Sequence, residues 1–98
     1  MIQRNPQNQN VNNNHKVTFE CFVSGSNSSL EIIWERNRQK YNSRNVKNTE
    51  DDNGITSSLT INNATVSDNG KYRCRATNAD GNSTVSTEAK LISKFKTT

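Results

Sequence analysis

The run Asp68-Asn69-Gly70-Lys71-Tyr72-Arg73-Cys74-Arg75-Ala76-Thr77-Asn78 decides how the rest of the chain is read. From Lys71 onward it alternates, with Tyr72, Cys74 and Ala76 on one side and Lys71, Arg73, Arg75 and Thr77 on the other. That is the period of two of a strand wet on one face. Working outward, Val17, Phe19, Cys21 and Val23 alternate in the same way against Thr18, Glu20 and Phe22, and bring in the second cysteine. Leu30, Ile32 and Trp34 alternate against Glu31, Ile33 and Glu35, so the tryptophan points inward. Asn53-Gly54 is a tight-turn dipeptide leading into Ile55, Ser57, Leu59 and Ile61. Asp80-Gly81 marks the last turn, ahead of a closing strand with Val85, Ala89 and Leu91. Between the Leu59 and Tyr72 strands, Val66 is read as an inward plug. Short strands with no helical period and no internal repeat predict one all-β sandwich.

Length and composition set the energetic scale. A chain of 98 residues buries only about 60 to 70% of its unfolded surface, so a covalent staple is useful. A bond closing the loop between Cys21 and Cys74 would contribute roughly 4 kcal/mol in the loop-entropy model, against a total stability of about 5 to 15 kcal/mol. That favours an oxidising compartment, while a reduced pair acting as two small buried hydrophobes stays open. The formal charge of +4 comes from 13 basic and 9 acidic residues, a surplus too moderate to indicate nucleic acid. No apolar run approaches the eighteen or so residues of a membrane span, and no stretch has the order of a signal peptide. Direct membrane insertion of this segment is therefore not expected, and targeting signals would lie elsewhere. Residues 1–5 read as a flexible polar segment, 6–93 as the domain, and 94–98 as a tail or linker.

Taken together, Cys21, Trp34 about a dozen residues later, and Cys74 with Tyr72 two residues before it resemble the signature of an immunoglobulin-type sandwich. The stretch Leu59-Thr60-Ile61, followed by Val66-Ser67-Asp68-Asn69-Gly70-Lys71-Tyr72-Arg73-Cys74-Arg75-Ala76, is similar almost residue for residue to the intermediate set (I-set) of that superfamily. The resemblance covers about Pro6 to Ile92. It implies a two-sheet Greek-key sandwich with a Cys21–Cys74 disulfide and Trp34 and Leu59 in the core. It also implies that Tyr72 forms a tyrosine corner, and that Asp68 pairs with a basic residue, Arg44 or Lys47. Val11 and Val17 stand where the family has an edge strand and the opening of the next strand. The glycine usual between them is replaced by Asn12-Asn13-Asn14, and asparagine tolerates positive φ.

No catalytic, metal or cofactor site is expected. His15, the one histidine, lies in a polar turn with no scaffold for a Ser-His-Asp or Cys-His arrangement. The cysteines are claimed by the sandwich, which leaves no zinc set. Glu50-Asp51-Asp52-Asn53 has carboxylates but no further ligands in register for calcium, so a solvated hairpin turn is the reading.

Function must then lie on the surface. Arg36, Arg38, Lys40, Arg44 and Lys47 gather after the Trp34 strand, and Lys71, Arg73 and Arg75 share the outward face of the Cys74 strand. In this fold those strands are neighbours, so the basic groups form a candidate surface for an acidic protein partner or a sulfated glycan. The competing account sets Glu31 and Glu35 against Arg73 and Arg75 as ordinary cross-strand pairs. Phe22, Ile33 and Tyr41 are single apolar candidates for protein contact. Asn27, Asn63 and Asn82 head glycosylation sequons, although roughly three or four arise by chance in so Asn-, Ser- and Thr-rich a chain.

The family resemblance implies a non-catalytic recognition or adhesion module, one domain of an extracellular receptor, matrix protein or immunoglobulin-containing growth factor of the neuregulin kind, located outside the cell or at its surface. The alternative is an intracellular structural domain of a muscle or cytoskeletal protein, in the cytoplasm. Its partner in either case is another protein.

Overall fold

The computed structural model describes residues 2–24 and 30–94. In chain order the elements are β1 (Ile2–Arg4), β2 (Gln9–Asn12), β3 (His15–Ser24), β4 (Glu31–Arg36), β5 (Gln39–Lys40), β6 (Val46–Asp51), β7 (Gly54–Ala64), a 3-10 turn (Val66–Asp68), β8 (Gly70–Thr77), β9 (Ser83–Val85) and β10 (Ala89–Lys94). One sheet runs β1-β3-β7-β6 and the other β2-β10-β8-β4-β5, with β9 beside the far end of β8. Only β2 and β10 pair in parallel among these strands. Neighbours such as β3 with β7 and β4 with β8 are distant in sequence, the mark of Greek-key connection.

The alternation read from sequence is what closes this sandwich. Val17, Phe19, Cys21 and Val23 of β3 face Trp34, Tyr72 and Cys74 of the second sheet, all of them buried. Cys21 and Cys74 are bonded across the sheets, with 53 residues of separation. Phe19 stacks on Tyr72 with ring centroids 5.0 Å apart and lies 6.5 Å from Trp34. The indole N–H would be costly to bury unpaired, and it donates to the Ser57 hydroxyl at 2.9 Å. That contact explains why a serine occupies the fully buried position between Ile55 and Leu59.

Turn chemistry follows the residues. Asn14 takes φ 69°, as the asparagine run requires. At the β6–β7 hairpin Gly54 has φ 152°, and a Cβ there would stand 2.1 Å from the Val23 carbonyl oxygen, so only glycine fits. The Asp51 carboxylate accepts from the Asn53 and Gly54 amides at 2.8 and 3.0 Å, making a hydrogen-bonded turn of the acidic stretch 50–53.

Two expectations are corrected. Residues 2–4 form a strand, where residues 1–5 read as flexible. Ile2 packs against the core, and the Arg4 guanidinium lies 5.9 Å from the centre of the Phe22 ring, so the ordered domain begins ahead of Pro6. Val66 is 42% exposed instead of plugging the core. The tight turn that begins at Thr65 lifts it outward, and Ala64 fills that end of the sandwich.

The closing strand is broken in a consequential way. β9 pairs with β8 as Arg75 opposite Val85, whereas β10 pairs as Tyr72 opposite Ala89. One extra residue has been inserted between them, a bulge. Ser86 makes it possible: its amide donates to the Cys74 carbonyl at 2.9 Å, and its hydroxyl accepts from the Cys74 amide at 3.0 Å. The Thr87 amide, freed from the ladder, donates to the Asn5 side-chain carbonyl at 3.0 Å.

Candidate functional site

Most basic residues singled out from the sequence sit on or beside the second sheet, whereas Lys47 lies on β6 of the first, and they do not form one free surface. Arg36 ends β4 and turns toward the domain's end. Its Nη2 donates to the Ser67 and Asn69 carbonyls at 2.6 and 2.9 Å. Those carbonyls belong to the 3-10 turn and to the residue that follows it, so Arg36 is a clasp holding the turn to β4. Asp68 likewise looks inward. Its Oδ2 accepts from the Thr65 amide at 2.9 Å, and Tyr72 donates its hydroxyl to the Asp68 carbonyl at 2.5 Å, the expected tyrosine corner. The expected partners Arg44 and Lys47 are exposed, Lys47 on β6 of the first sheet, and no ion pair to Asp68 forms among the described residues. A carboxylate capping its own turn orders few new atoms, whereas recruiting a long surface cation costs side-chain entropy for little gain.

Arg73 and Arg75 converge on one acid. Glu35 is directly opposite Arg73 in the β4–β8 register and diagonal to Arg75. It accepts from Arg73 Nε at 2.6 Å and Arg75 Nε at 2.9 Å, and is itself only 7% exposed. Burial would raise its carboxyl pKa, but the hydrogen bonds and charges of the two guanidiniums outweigh burial and hold it below the ordinary value. Glu31, the other acid proposed to pair here, faces Thr77. The cross-strand account is therefore right for Glu35 and not for Glu31.

Arg38 reaches Glu88 at 3.7 Å from a side chain 72% exposed. Arg38 also holds a φ of 68° beside Asn37 at 51°, the mirror-image hairpin turn that glycine normally supplies. Lys40, Arg44 and Lys71 are exposed and carry no ion pair among the described residues.

The apolar candidates have company. Phe22 lies under Arg4. Tyr41 meets Tyr72 edge-on at 5.4 Å, and burial raises its phenol pKa, assisted by Asp68 and opposed by Arg36. Ile33 is half-buried. Of the sequon residues, Asn63 and Asn82 are exposed, and Asn27 lies outside the described residues. His15 is exposed, with its Nδ1 donating to the Asn12 carbonyl at 3.0 Å. No group of three His, Cys, Asp or Glu side chains among the described residues could hold a metal ion, and no described helix is long and apolar enough to cross a membrane.

A family model agrees with this geometry: that of the immunoglobulin I-set domain matches residues 1–91. The chain belongs to the immunoglobulin I-set family. This I-set domain is 44% identical over 66 residues, 65% of the chain, to the muscle M-line assembly protein unc-89 of Caenorhabditis elegans, and spans 1% of it. It is 33% identical over 85 residues, 86% of the chain, to the titin homolog of the same animal, of which it covers a share that rounds to 0%. The membrane-bound isoform of pro-neuregulin-1 from Xenopus laevis is 25% identical over 92 residues, 88% of the chain and 14% of that protein. Among solved structures, the titin domains z1z2 in complex with telethonin superpose on all of this chain with a TM-score of 0.79 at 28% identity, and the chain covers 49% of that structure's chain. The I-set domain is thus a small fraction of each relative's length.

Sequence reasoning missed two cations of β10. Lys90 stands opposite Lys71 in the β8–β10 ladder, and Lys94 follows on the same exposed face. The run Lys90-Leu91-Ile92-Ser93-Lys94 alternates visibly, but which side faces solvent depends on the bulge at Ser86 and Thr87.

Proposed function

We propose that this I-set domain is a non-catalytic, protein-docking spacer unit within a long muscle or cytoskeletal filament protein. The single observation that carries the reading is its 44% identity with unc-89, joined by 33% identity with a titin homolog over a greater length. The domain's construction agrees with it. Trp34, Tyr72, Asp68 and Arg36 all serve the core or the corner, and what faces solvent is mostly polar and charged.

A second reading, an extracellular recognition module, has support in the bonded cysteine pair and in the neuregulin relative. An antibody to the domain, applied to muscle of the source animal before and after permeabilisation, separates the two. Striated labelling seen only after permeabilisation is the expected result. Labelling of intact cell surfaces would overturn the proposal, as would a fully oxidised cysteine pair together with occupied glycans at Asn63 or Asn82.

A further inference from the structure

The outward face of the β10-β8-β4-β5 sheet carries the positive surplus of the chain, and two of its acids are already spent, while Glu31 sits opposite Thr77 at the other end of β4. Glu35 is committed to Arg73 and Arg75, and Glu88 to Arg38. Lys40, Lys71, Lys90 and Lys94 remain on it without an ion pair among the described residues. Most telling is the pairing of Lys71 directly opposite Lys90. Cross-strand side chains in such a pair stand about 5 Å apart, and two like charges there oppose folding. Among the described residues no ion pair relieves them.

β10 adds a pattern to the charge. Beyond its partly covered end it presents Lys90, Ile92 and Lys94 on one face, two cations with a half-buried isoleucine between them. Four residues of strand rise set the cations about 13 Å apart. On β2, Asn10 and Asn12 lie opposite Ile92 and Lys94 and edge the row with amides.

From this we infer that the Lys90-Ile92-Lys94 row, with Lys71 beside it, docks an acidic, extended segment of a partner protein whose pattern is acid-x-apolar-x-acid. An extended segment with that alternation repeats the same spacing, so each carboxylate meets a lysine and its central apolar residue meets Ile92. One carboxylate placed between Lys71 and Lys90 would replace a repulsion with two attractions, so the gain on binding includes strain already present in the free domain. This deepens the protein-docking reading and rests on it. Arg36, Arg73 and Arg75 take no part.

The test uses a labelled peptide containing Glu-Thr-Ile-Thr-Glu and its twin with both glutamates changed to glutamine, followed by fluorescence anisotropy at low and high salt. The acidic peptide is expected to bind and to weaken as salt rises. Its twin, and the domain variants Lys90→Glu and Lys71→Glu, should each bind at least about tenfold more weakly. Lys71→Glu should simultaneously raise the unfolding midpoint, because it converts a like-charge pair into an opposite one, which rules out loss of fold as the cause of lost binding. Lys47→Glu, an exposed cation on the other sheet, should leave affinity unchanged. Equal affinity for the two peptides, absence of binding, or an equal loss in Lys47→Glu would overturn the inference. So would binding of a heparin oligosaccharide, abolished by Lys90→Glu, in place of the peptide. Where the domain resides is read by the antibody experiment, so the two proposals fail separately.

Discussion

Glu35→Gln isolates the one buried charge among the described residues. The substitution keeps the side chain's shape and removes the charge that holds two guanidiniums. Each charge-assisted hydrogen bond contributes about 1.5 to 3 kcal/mol net. Arg73 is 15% exposed and loses nearly all of that, whereas Arg75, 31% exposed, recovers part of it from water. The expected loss is therefore about 3 kcal/mol, which for a domain of this size lowers the midpoint of thermal unfolding by about 12 to 24 °C. Its pH dependence has a definite sign. The folded-state pKa of Glu35 is held below 4.5, so its contribution is fully present above that value and disappears as pH falls through the lower, folded one. Urea unfolding followed by Trp34 fluorescence should show the two proteins far apart at pH 7 and converging as the pH is lowered well below 4.5. A gap under about 0.5 kcal/mol at pH 7, or one that stays constant into acid, would refute the assignment of Glu35 as the organising charge.

Four other outcomes are expected. Tyr72→Phe deletes the hydroxyl bonded to the Asp68 carbonyl and should cost about 1 to 2 kcal/mol in denaturant unfolding at neutral pH. Because burial holds the Tyr72 phenol above its ordinary value of 10, its contribution is lost as pH rises past 10, so the variant's stability should fall less steeply in alkali. Arg38→Gly relieves a left-handed residue and should raise stability by up to about 1 kcal/mol in the same assay, with a decrease as the contrary result. In Gly54→Ala a methyl would collide with the Val23 carbonyl at a φ that alanine rarely adopts, and a loss of more than about 3 kcal/mol is expected by calorimetry. Deleting Thr87 removes the bulged residue, so the β9 register runs on into β10 with Ala89 still opposite Tyr72 and Lys90 still outward. The deletion variant should therefore fold, losing the Thr87–Asn5 hydrogen bond and keeping its near-ultraviolet circular dichroism, with loss of that spectrum as the contrary result.

The inward half of this molecule was legible because inward positions repeat. Val17, Phe19, Cys21, Val23, Trp34, Leu59, Tyr72 and Cys74 are buried where alternation put them, since a one-residue error would expose a whole strand. The turns at Asn14, Gly54 and Gly81 were legible for a related reason, their backbone angles being ones few residues tolerate. Val66 was misplaced because alternation does not extend through a 3-10 turn. Asp68 was given the wrong partner because the choice between a backbone amide and a distant cation is decided by geometry that spacing does not contain. The same holds for Arg36, whose guanidinium finds the carbonyls of Ser67 and Asn69, more than thirty residues away.

Outward residues obey a further condition, which explains why the basic face could be found only in part. Lys71, Arg73 and Arg75 lie on the strand that holds the inward pattern of Tyr72 and Cys74, so their direction follows from the core. Lys90, Ile92 and Lys94 follow a bulge, and if every residue from Val85 onward were paired in turn instead, the β9 register would continue and place Ala89 opposite Lys71. Leu91 would then turn to solvent and Lys90 to the core. The bulge at Ser86 and Thr87 therefore serves both halves of the domain with one residue. It buries Ala89 and Leu91 against the sandwich, and by the same half-turn it exposes a cationic row beside Lys71. A Ser86 hydroxyl bonded to the Cys74 amide ties that surface to the residue that carries the disulfide. The proposed docking row is thus held by the sandwich's own covalent staple, which keeps its spacing fixed before any partner arrives.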